Sequence, residues 1–313
     1  MNRRTFLTAS GGLVASALAI DTDAAPAPIP KRPLGKTGQN LSIIGFGGIV
    51  VNGHDQAEAD RLVREAFDRG VNYFDVAPSY GNGEAEEKLG AALTGLRDRV
   101  FLACKTQKRD AAGARAELEQ SLKRLRTDHF ELYQLHALTR PEDLEQAAGP
   151  GGALESFLKA REQGLIRWIG FSAHSAEVAL AAMDRFPFDT ILFPVNFVTW
   201  KAGFGPQVIA KAMDKGMGRL ALKAMALRRW ERGETRAYPK CWYRPVDDPS
   251  QASLAVRWTL SQPITAAVPP GDARLFRQAL DIAARFRPIT EPERQTLARL
   301  AEGIPPLFEL AKS

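Results

Sequence analysis

The sequence predicts an α/β fold, a (β/α)8 TIM barrel in which each of eight parallel strands is followed by a helix, with a short N-terminal hairpin and an additional C-terminal helix. Eight short runs of the 313-residue chain are almost continuously apolar, as strands buried on both faces are. Between them lie segments with helix periodicity, and most strands recur after about thirty residues, the length of one strand–helix unit. A doubly wound open sheet is the main alternative, but the first run leads into GFGGIV, which lacks the GxGxxG pattern typical of such folds.

The first 27 residues differ from the rest and predict a signal peptide. They begin with Arg3 and Arg4, continue through an apolar run at residues 11–20 and end in an Ala/Pro-rich stretch. This order resembles a twin-arginine export signal, and the apolar run is too short to cross a bilayer. We expect one barrel domain at residues 28–313, with no stable membrane span after processing. It would fold in the cytoplasm and reach the bacterial periplasm through the twin-arginine export machinery.

The remaining elements follow in order along the chain. KRPLGKTGQNLS contains turn residues and predicts the N-terminal hairpin, which would cover the bottom of the barrel. Asp55 and Glu58 form a capping-box pattern at the start of the first helix, and Gly70 suits the end of that helix. EPERQTLARLAEGI predicts the additional C-terminal helix. The eight predicted strands are residues 41–47, 71–75, 100–105, 130–135, 166–171, 190–195, 219–223 and 265–268.

A long insertion, residues 228–248, separates the seventh strand from its helix. It contains four aromatic residues, Trp230, Tyr238, Trp242 and Tyr243. Connections of this length are usually functional or mobile. We expect the insertion to close over a pocket at the end of the barrel.

Composition and charge exclude several functional classes. The chain is 45% hydrophobic and 25% charged, which is typical of a soluble globular protein. Its net charge of +6 is scattered among acidic residues without a basic, aromatic-rich stripe, so we expect no nucleic-acid binding. The two cysteines, Cys104 and Cys241, have no spacing typical of a disulfide or a zinc site. Only four histidines are present, with no HxH pair on the first strand and no clustered carboxylates, which disfavours a metal-dependent hydrolase.

Ionisable residues end three successive predicted strands. Asp75 ends the second strand, Lys105 the third and His136 the fourth, while Tyr80 lies on the loop after Asp75. In TIM barrels the chemistry occurs at the carboxyl ends of the strands. Asp75 and Lys105 alone could form a structural ion pair, but a phenol has no place in one. We therefore expect the four groups to form one site.

Carbonyl reduction uses these four groups together. Free tyrosine has a pKa of about 10 and is a poor acid near pH 7. The ammonium of Lys105 would lower the pKa of Tyr80 by stabilising its phenolate, and Asp75 would keep that ammonium charged and in position. A neutral His136 would donate a hydrogen bond to the carbonyl oxygen. We therefore expect Tyr80 to donate the proton while a hydride reaches the carbonyl carbon.

The motifs of residues 32–288 resemble those of the aldo-keto reductase superfamily. The matching segments are LGKTG, FDVAPSYGNGEAEEKLGAAL, ACKT, LYQLHAL, IRWIGFS and LAVRWTLSQP. The resemblance implies reduction of an aldehyde or ketone with a nicotinamide cofactor, usually NADPH, bound without a Rossmann domain. It also implies that Asp75, Tyr80, Lys105 and His136 are the catalytic tetrad and that Ser172 holds the nicotinamide carboxamide.

The cofactor-binding residues depart in part from the pattern of the family. Ala173 replaces an asparagine, Leu192 a glutamine and Leu222 a stacking aromatic, and no lysine follows Gly271. Arg274 or Arg277 could meet a 2′-phosphate, with a surface role equally open, so NADPH is favoured and NADH stays possible. Lys223 could reach the pyrophosphate. The predicted cofactor-binding residues are Gly47, Gly48, Ser172, Ala173, Asn196, Lys223, Gly271 and Arg277.

Two alternatives to a reductase stay open on the sequence. A barrel aldolase would form a Schiff base on Lys105, although the nearby Asp75 would keep that amine protonated. A nicotinamide-binding sensor or scaffold with little turnover would fit the three replaced cofactor contacts. The intact set of four ionisable residues favours the reductase. An insertion rich in aromatic residues indicates an apolar or ring-bearing carbonyl substrate.

Overall fold

The computed structural model describes residues 28–310. The predicted signal peptide, residues 1–27, lies outside these residues. Among the described residues, no helix combines the length and the apolar character needed to cross a membrane.

Within residues 28–310, twelve strands form three sheets, the largest of which is the predicted barrel. The strands are β1 (Lys31–Pro33), β2 (Asn40–Ser42), β3 (Phe46–Gly47), β4 (Tyr73–Asp75), β5 (Phe101–Thr106), β6 (Phe130–Leu138), β7 (Ile166–Ala173), β8 (Thr190–Pro194), β9 (Gly218–Leu222), β10 (Ala226–Arg229), β11 (Tyr243–Pro245) and β12 (Ala266–Val268). Eight of them, β3 to β9 and β12, pair in parallel in the order of the chain. A parallel bridge between Ile44 and Ala267 joins the first strand to the last. The (β/α)8 prediction is confirmed.

Eleven α-helices surround the barrel within the described part of the chain. They are α1 (Gln56–Asp68), α2 (Glu84–Ala92), α3 (Ala111–Arg124), α4 (Pro141–Ala148), α5 (Ala153–Glu162), α6 (Ala176–Arg185), α7 (Phe197–Lys201), α8 (Pro206–Asp214), α9 (Pro249–Leu260), α10 (Ala273–Ala284) and α11 (Glu291–Leu300). Asp55 caps α1 by accepting a hydrogen bond from the backbone N–H of Glu58, at 2.8 Å. The additional C-terminal helix is α11, and Arg257 of α9 holds it through two hydrogen bonds to Glu293, at 2.7 and 2.8 Å.

The first predicted strand, residues 41–47, is divided between two sheets in the structure. Asn40–Ser42 pairs antiparallel with Lys31–Pro33, and only Phe46–Gly47 joins the barrel sheet. The hydroxyl of Ser42 donates to the carbonyl of Ile44 at 2.7 Å, which stabilises the bend between the two segments. The apolar run was correct evidence of burial, but the prediction of one continuous strand was wrong.

The N-terminal hairpin closes the bottom of the barrel, as predicted. Leu34 and Leu41 belong to the cluster of side chains that fills the barrel interior, and both are fully buried. Arg32 donates to the carbonyls of Leu260 and Ile264, at 2.8 and 3.1 Å, and so ties the hairpin to the end of α9. The bottom of the barrel is therefore sealed, and any ligand must enter from the other end.

The insertion after β9 contains an antiparallel hairpin that the sequence analysis did not predict. β10 pairs with β11, and the loop between them returns to the barrel mouth. The indole N–H of Trp230 donates to the carbonyl of Cys241 at 2.8 Å, and Lys240 donates to the carbonyl of Val50 at 2.9 Å. These bonds hold the loop across the strand ends, above the predicted site.

Candidate active site

A cavity of about 230 Å³ lies at the carboxyl ends of the barrel strands. Its lining combines the four predicted ionisable residues with residues of the insertion. The walls are formed by Gly47, Ile49, Asp75, Tyr80, Lys105, His136, Ser172, His174, Leu192, Leu222, Lys223, Lys240, Cys241, Trp242, Tyr243, Val268, Pro269, Pro270 and Gly271. The structure thus brings together Asp75, Tyr80, Lys105 and His136.

A second, larger cleft of about 650 Å³ lies at the opposite end, beside the N-terminal hairpin. Arg32 and Arg219 line it, and both guanidinium groups donate to backbone carbonyls of the loops there. It is the more open of the two, but it holds none of the four ionisable residues and lies at the amino ends of the strands, where barrels do not carry out chemistry. We therefore assign the candidate site to the smaller cavity.

Asp75 and Lys105 form an ion pair inside the barrel. Both side chains are buried, at 2% and 1% exposure, and the ammonium also donates to the carbonyl of Val76 at 3.1 Å. Burial lowers the pKa of Lys105, but the charge of Asp75 and the hydrogen bond to it outweigh that effect, so the net pKa is raised. Lys105 therefore remains a cation.

Two further residues that the sequence analysis did not single out complete the shell around Asp75. The hydroxyl of Tyr73 donates to Asp75 Oδ2 at 3.0 Å, and the Nε2 group of Gln134 donates to the same oxygen at 3.2 Å. Tyr73 lies two residues before Asp75 and so shares its face of β4, while Gln134 pairs in register with Lys105. Period-2 alternation would have identified both, had the inner face of the strands been assigned.

Tyr80 reaches the cavity from the loop between β4 and α2. The ammonium of Lys105 lies 5.3 Å from the centre of the Tyr80 ring, and the ring of His136 stands edge-on at 5.9 Å. Burial raises the pKa of Tyr80 more than Lys105 lowers it, so the net pKa is above the ordinary value. The sequence predicts a lowered pKa, because the nearby ammonium stabilises the phenolate. The structure corrects this expectation, because burial of the phenol was not visible in the sequence.

His136 is aimed by a local irregularity of β6. The pairing of β6 with β7 shifts between Leu135 and Leu138, and Ala137 takes a positive φ of 54°. The hydroxyl oxygen of Ser172 accepts from the N–H of Ala137 at 2.7 Å, and Arg109 donates to the carbonyl of His136, also at 2.7 Å. The bulge therefore has support on both sides of the imidazole.

The imidazole of His136 is neutral. Burial lowers its pKa well below 6.5, and the positive charges of Lys105 and other cations lower it further. Its Nδ1 atom is buried without a hydrogen-bond partner among the described residues. A neutral ring can donate one hydrogen bond to an uncharged ligand oxygen, as expected from the sequence.

Four of the eight predicted cofactor-binding residues line the cavity: Gly47, Ser172, Lys223 and Gly271. A Cβ atom at Gly47 would lie 3.0 Å from the side chain of Val268, and one at Gly271 would lie 2.2 Å from that of Ile49. Both glycines therefore pack closely against the side chains of Val268 and Ile49, where the first and last barrel strands meet at the rim. Leu192 and Leu222 make the neighbouring wall apolar.

The other four predicted cofactor-binding residues do not line the cavity. Gly48 packs on Val76, where a Cβ atom would lie 2.6 Å away, and Ala173 is buried in the core. Arg277 lies beside α1 and donates to Glu65 at 2.9 Å. Each of these three residues contacts other residues of the protein and none faces the cavity. The structure therefore gives no support for direct contact between them and a cofactor.

Asn196, the fourth of these residues, uses its whole side chain inside the protein. Its Oδ1 atom accepts from the N–H groups of Val198 and Thr199, at 3.0 and 3.2 Å, and caps α7. Its Nδ2 group donates to the carbonyls of Lys223 and Ala226, at 3.0 and 2.5 Å. Asn196 is 1% exposed and therefore positions the chain around Lys223 without facing the cavity.

Aromatic residues enclose the cavity on the side of His174. The His174 imidazole stacks on Phe308 at 5.3 Å, and Phe308 meets Trp242 edge-on at 5.9 Å. Leu307, next to Phe308, packs on Tyr243. The prediction that the insertion closes over the pocket thus agrees with the position of Trp242 and Tyr243, whereas Phe308 carried no signal in the sequence because it lies far along the chain from the barrel.

Comparisons with known proteins agree with this architecture. The model of the family described as "Aldo/keto reductase family" matches residues 43–244. Aldo-keto reductase YhdN of Bacillus subtilis is 37% identical over an alignment of 181 residues, with coverage of 51% of this chain and 52% of that protein. The chain thus spans about half the length of this curated relative.

Solved structures of aldo-keto reductases have the same fold. The holo form of an aldo-keto reductase from Bacillus halodurans superposes with a TM-score of 0.68 at 24% identity, covering 88% of this chain and 97% of that one. An aldo-keto reductase from Klebsiella pneumoniae in complex with NADPH gives a TM-score of 0.69 at 21% identity, covering 91% and 99%.

The buried ion pair yields a prediction about stability. Asp75→Asn leaves the Lys105 ammonium in the barrel without a counter-charge, which should lower the free energy of unfolding by about 3 kcal/mol. Chemical denaturation followed by circular dichroism measures the change. Asp60→Asn, an exposed residue on α1, is the matched control and should change stability by less than about 0.5 kcal/mol. Equal stability of the two variants would contradict a charged Lys105.

Proposed function

Since the chain belongs to the aldo/keto reductase family, we propose that it is an NAD(P)H-dependent oxidoreductase that reduces an aldehyde or ketone to an alcohol. The observation that carries this proposal is the convergence of Tyr80, Lys105, Asp75 and His136 on one cavity at the carboxyl ends of the strands. A proton donor, a fixed cation and a neutral hydrogen-bond donor meet there, which is what a developing alkoxide requires.

The cavity fits the reacting end of a nicotinamide cofactor. Its volume of about 230 Å³ lies below the 300–1,000 Å³ typical of sites for whole drug-sized ligands, so the rest of a dinucleotide would lie along the rim. Gly47 and Gly271 present backbone on that rim, packed against the side chains of Val268 and Ile49. Ser172 accepts one hydrogen bond in the structure, and its hydroxyl proton remains available for a carboxamide. When bound, NADPH or NADH would supply the hydride.

Tyr80 would deliver the proton to the carbonyl oxygen. Its raised pKa keeps the phenol protonated at neutral pH. As the oxygen gains negative charge, the phenol proton moves to it and the phenolate is left 5.3 Å, measured at the ring centre, from the Lys105 ammonium. Lys105 would therefore stabilise the charge that forms on Tyr80, and Asp75 would hold Lys105 in place.

His136 would orient the carbonyl group. Because its pKa is well below 6.5, the ring has no positive charge to compete with Lys105 for the phenolate. The bulge at Ala137, braced by Ser172, sets the direction of the ring. His136 would thus donate a hydrogen bond to the same oxygen that receives the proton.

The aldolase alternative finds less support. A Schiff base needs a free amine, but the pKa of Lys105 is raised and its ammonium donates to Asp75 and to the carbonyl of Val76. The apolar replacements at Leu192 and Leu222 leave a binding protein with little turnover as the second candidate.

We also propose export of the folded protein through the twin-arginine route, on the basis of Arg3 and Arg4. A folded enzyme could carry its cofactor with it. Replacing both arginines by lysine in the full chain should keep the protein in the cytoplasm of a bacterial host that has this pathway, as measured by cell fractionation. Lysine at Arg61 and Arg64, an exposed pair on α1, is the control. Equal periplasmic yield of the two double variants would contradict the proposal.

Cofactor preference can be measured by titrating the protein with NADPH and NADH while following its fluorescence. We expect saturable binding with micromolar or lower Kd and tighter binding of NADPH. Arg274 is the more exposed arginine, and it forms an ion pair with Asp272, donates to the carbonyl of Ala237 and lies over the ring of Tyr238, whereas Arg277 pairs with two glutamates of α1. Arg274→Ala should therefore weaken NADPH binding about tenfold and leave NADH unchanged. Arg299→Ala, on the exposed face of α11, is the control. If neither NADPH nor NADH bound to the unaltered protein, the proposed function would be overturned.

Tyr80→Phe tests the proton donor. Loss of the phenol hydroxyl should lower kcat for carbonyl reduction about 10²- to 10⁴-fold while the cofactor Kd stays within about threefold. Tyr238→Phe removes a hydroxyl that only contacts Asp247 and should keep nearly full activity. A parallel loss of activity and cofactor binding in Tyr80→Phe would mean that Tyr80 is structural.

A further inference from the structure

Lys223 follows the last residue of β9 in a backbone conformation that is unusual for lysine. Its φ is +70°, in the left-handed region that favours glycine. The surrounding structure fixes this conformation, because the carbonyl of Lys223 accepts from Asn196 Nδ2 at 3.0 Å and from the N–H of Ala226 at 2.9 Å. Residues held in such conformations cluster at ligand sites. The consequence here is that the lysine side chain lines the cavity.

The ammonium of Lys223 has no counter-ion among the described residues. It lies 4.8 Å from the ring centre of Tyr243 and 5.2 Å from that of Trp242, and it takes part in no hydrogen bond or ion pair within residues 28–310. Asp75 supplies the one carboxylate of the cavity lining, and Lys105 already neutralises it. Aromatic faces stabilise a cation only partly, so the positive charge is left available to a ligand.

Each of the other lysines and histidines of the lining either donates a hydrogen bond or is uncharged. Lys240 donates to the carbonyl of Val50, and Lys105 is paired with Asp75. Burial lowers the pKa of His174 to about 4, with a further contribution from the charge of Lys223, and His136 is neutral as well. Burial also lowers the pKa of Lys223, to about 8, which leaves it largely protonated near pH 7. Lys223 is therefore the one amine of the lining that makes no hydrogen bond or ion pair within residues 28–310.

We propose that Lys223 binds a carboxylate of the carbonyl substrate, so that the substrates are oxo acids or aldehydes that carry an acid group. This inference rests on the proposed function. An anionic oxygen at Lys223 could come from the substrate or from the pyrophosphate of the cofactor, since both offer the same chemistry. The substrate is favoured because the Lys223 ammonium lies against Tyr243 and Trp242, the insertion residues that line the same cavity as Tyr80 and His136.

The test compares two benzaldehydes of nearly the same shape, 4-carboxybenzaldehyde and the neutral 4-nitrobenzaldehyde. In the full-length protein, kcat/KM should favour the carboxylate. Lys223→Met should lower kcat/KM for the carboxylate about ten- to hundredfold and leave the nitro compound within about twofold. Lys223→Arg should restore most of the carboxylate preference, because it restores the charge.

Two measurements identify the source of the anion. If Lys223→Met weakens NADPH binding by a similar factor and affects both aldehydes equally, Lys223 binds the cofactor and the proposal is overturned. A Lys223→Met variant in which kcat/KM for 4-carboxybenzaldehyde is unchanged overturns it as well.

Calorimetric titration with benzoate requires no turnover and so separates this inference from the proposed function. Saturable benzoate binding that Lys223→Met abolishes would support the carboxylate site even if no aldehyde were reduced. Reduction of aldehydes without benzoate binding would leave the reductase proposal standing and overturn this one. Unchanged NADPH affinity in Lys223→Met would show that the variant is folded.

Discussion

A lysine ammonium inside the barrel must be neutralised, and this requirement constrains the strands around it. Lys105 on β5 meets Asp75 on β4, and Gln134 on β6 donates to the same carboxylate as Tyr73. Moving any of these strands by one residue would turn its polar group away from the interior. The ion pair therefore sets the register of three neighbouring strands, and with it the positions from which the Tyr80 loop and the His136 bulge begin.

The sequence predicts the barrel well because both faces of a parallel strand are buried. Most of the eight barrel strands lie within a few residues of their predicted bounds, since few other elements are apolar throughout. The prediction of a single strand at residues 41–47 was wrong because burial alone does not distinguish a barrel strand from another buried segment. A hairpin that plugs the barrel buries its side chains as fully as a barrel strand does, so Leu41 and Phe46 look alike in the sequence although they belong to different sheets. The β10–β11 hairpin escaped prediction because it is short and its outer residues, such as Arg229, are charged.

The sequence predicts those residues of the candidate site in which an ionisable side chain ends an apolar run. Asp75, Lys105 and His136 stand out because an unpaired polar group is costly at such a position. Asn196 also ends a strand, yet its amide is satisfied by α7 and by the segment after Lys223. A sequence does not show whether a buried polar group meets the protein or a ligand, because that depends on hydrogen bonds between distant residues. For the same reason the sequence did not identify Tyr73. Its hydrogen bond to Asp75 becomes evident only when the inner face of β4 is known.

At Lys223, the left-handed backbone conformation makes stability and ligand binding favour different residues. Glycine at this position would relax the backbone and favour folding, but it would remove the only amine of the cavity lining that makes no hydrogen bond or ion pair within residues 28–310. Laboratory evolution that selects for heat resistance would be drawn toward glycine here and would give up a ligand contact. Selection for turnover would keep the lysine and accept the lower stability. Position 223 is therefore a place where an engineer must choose which property to improve.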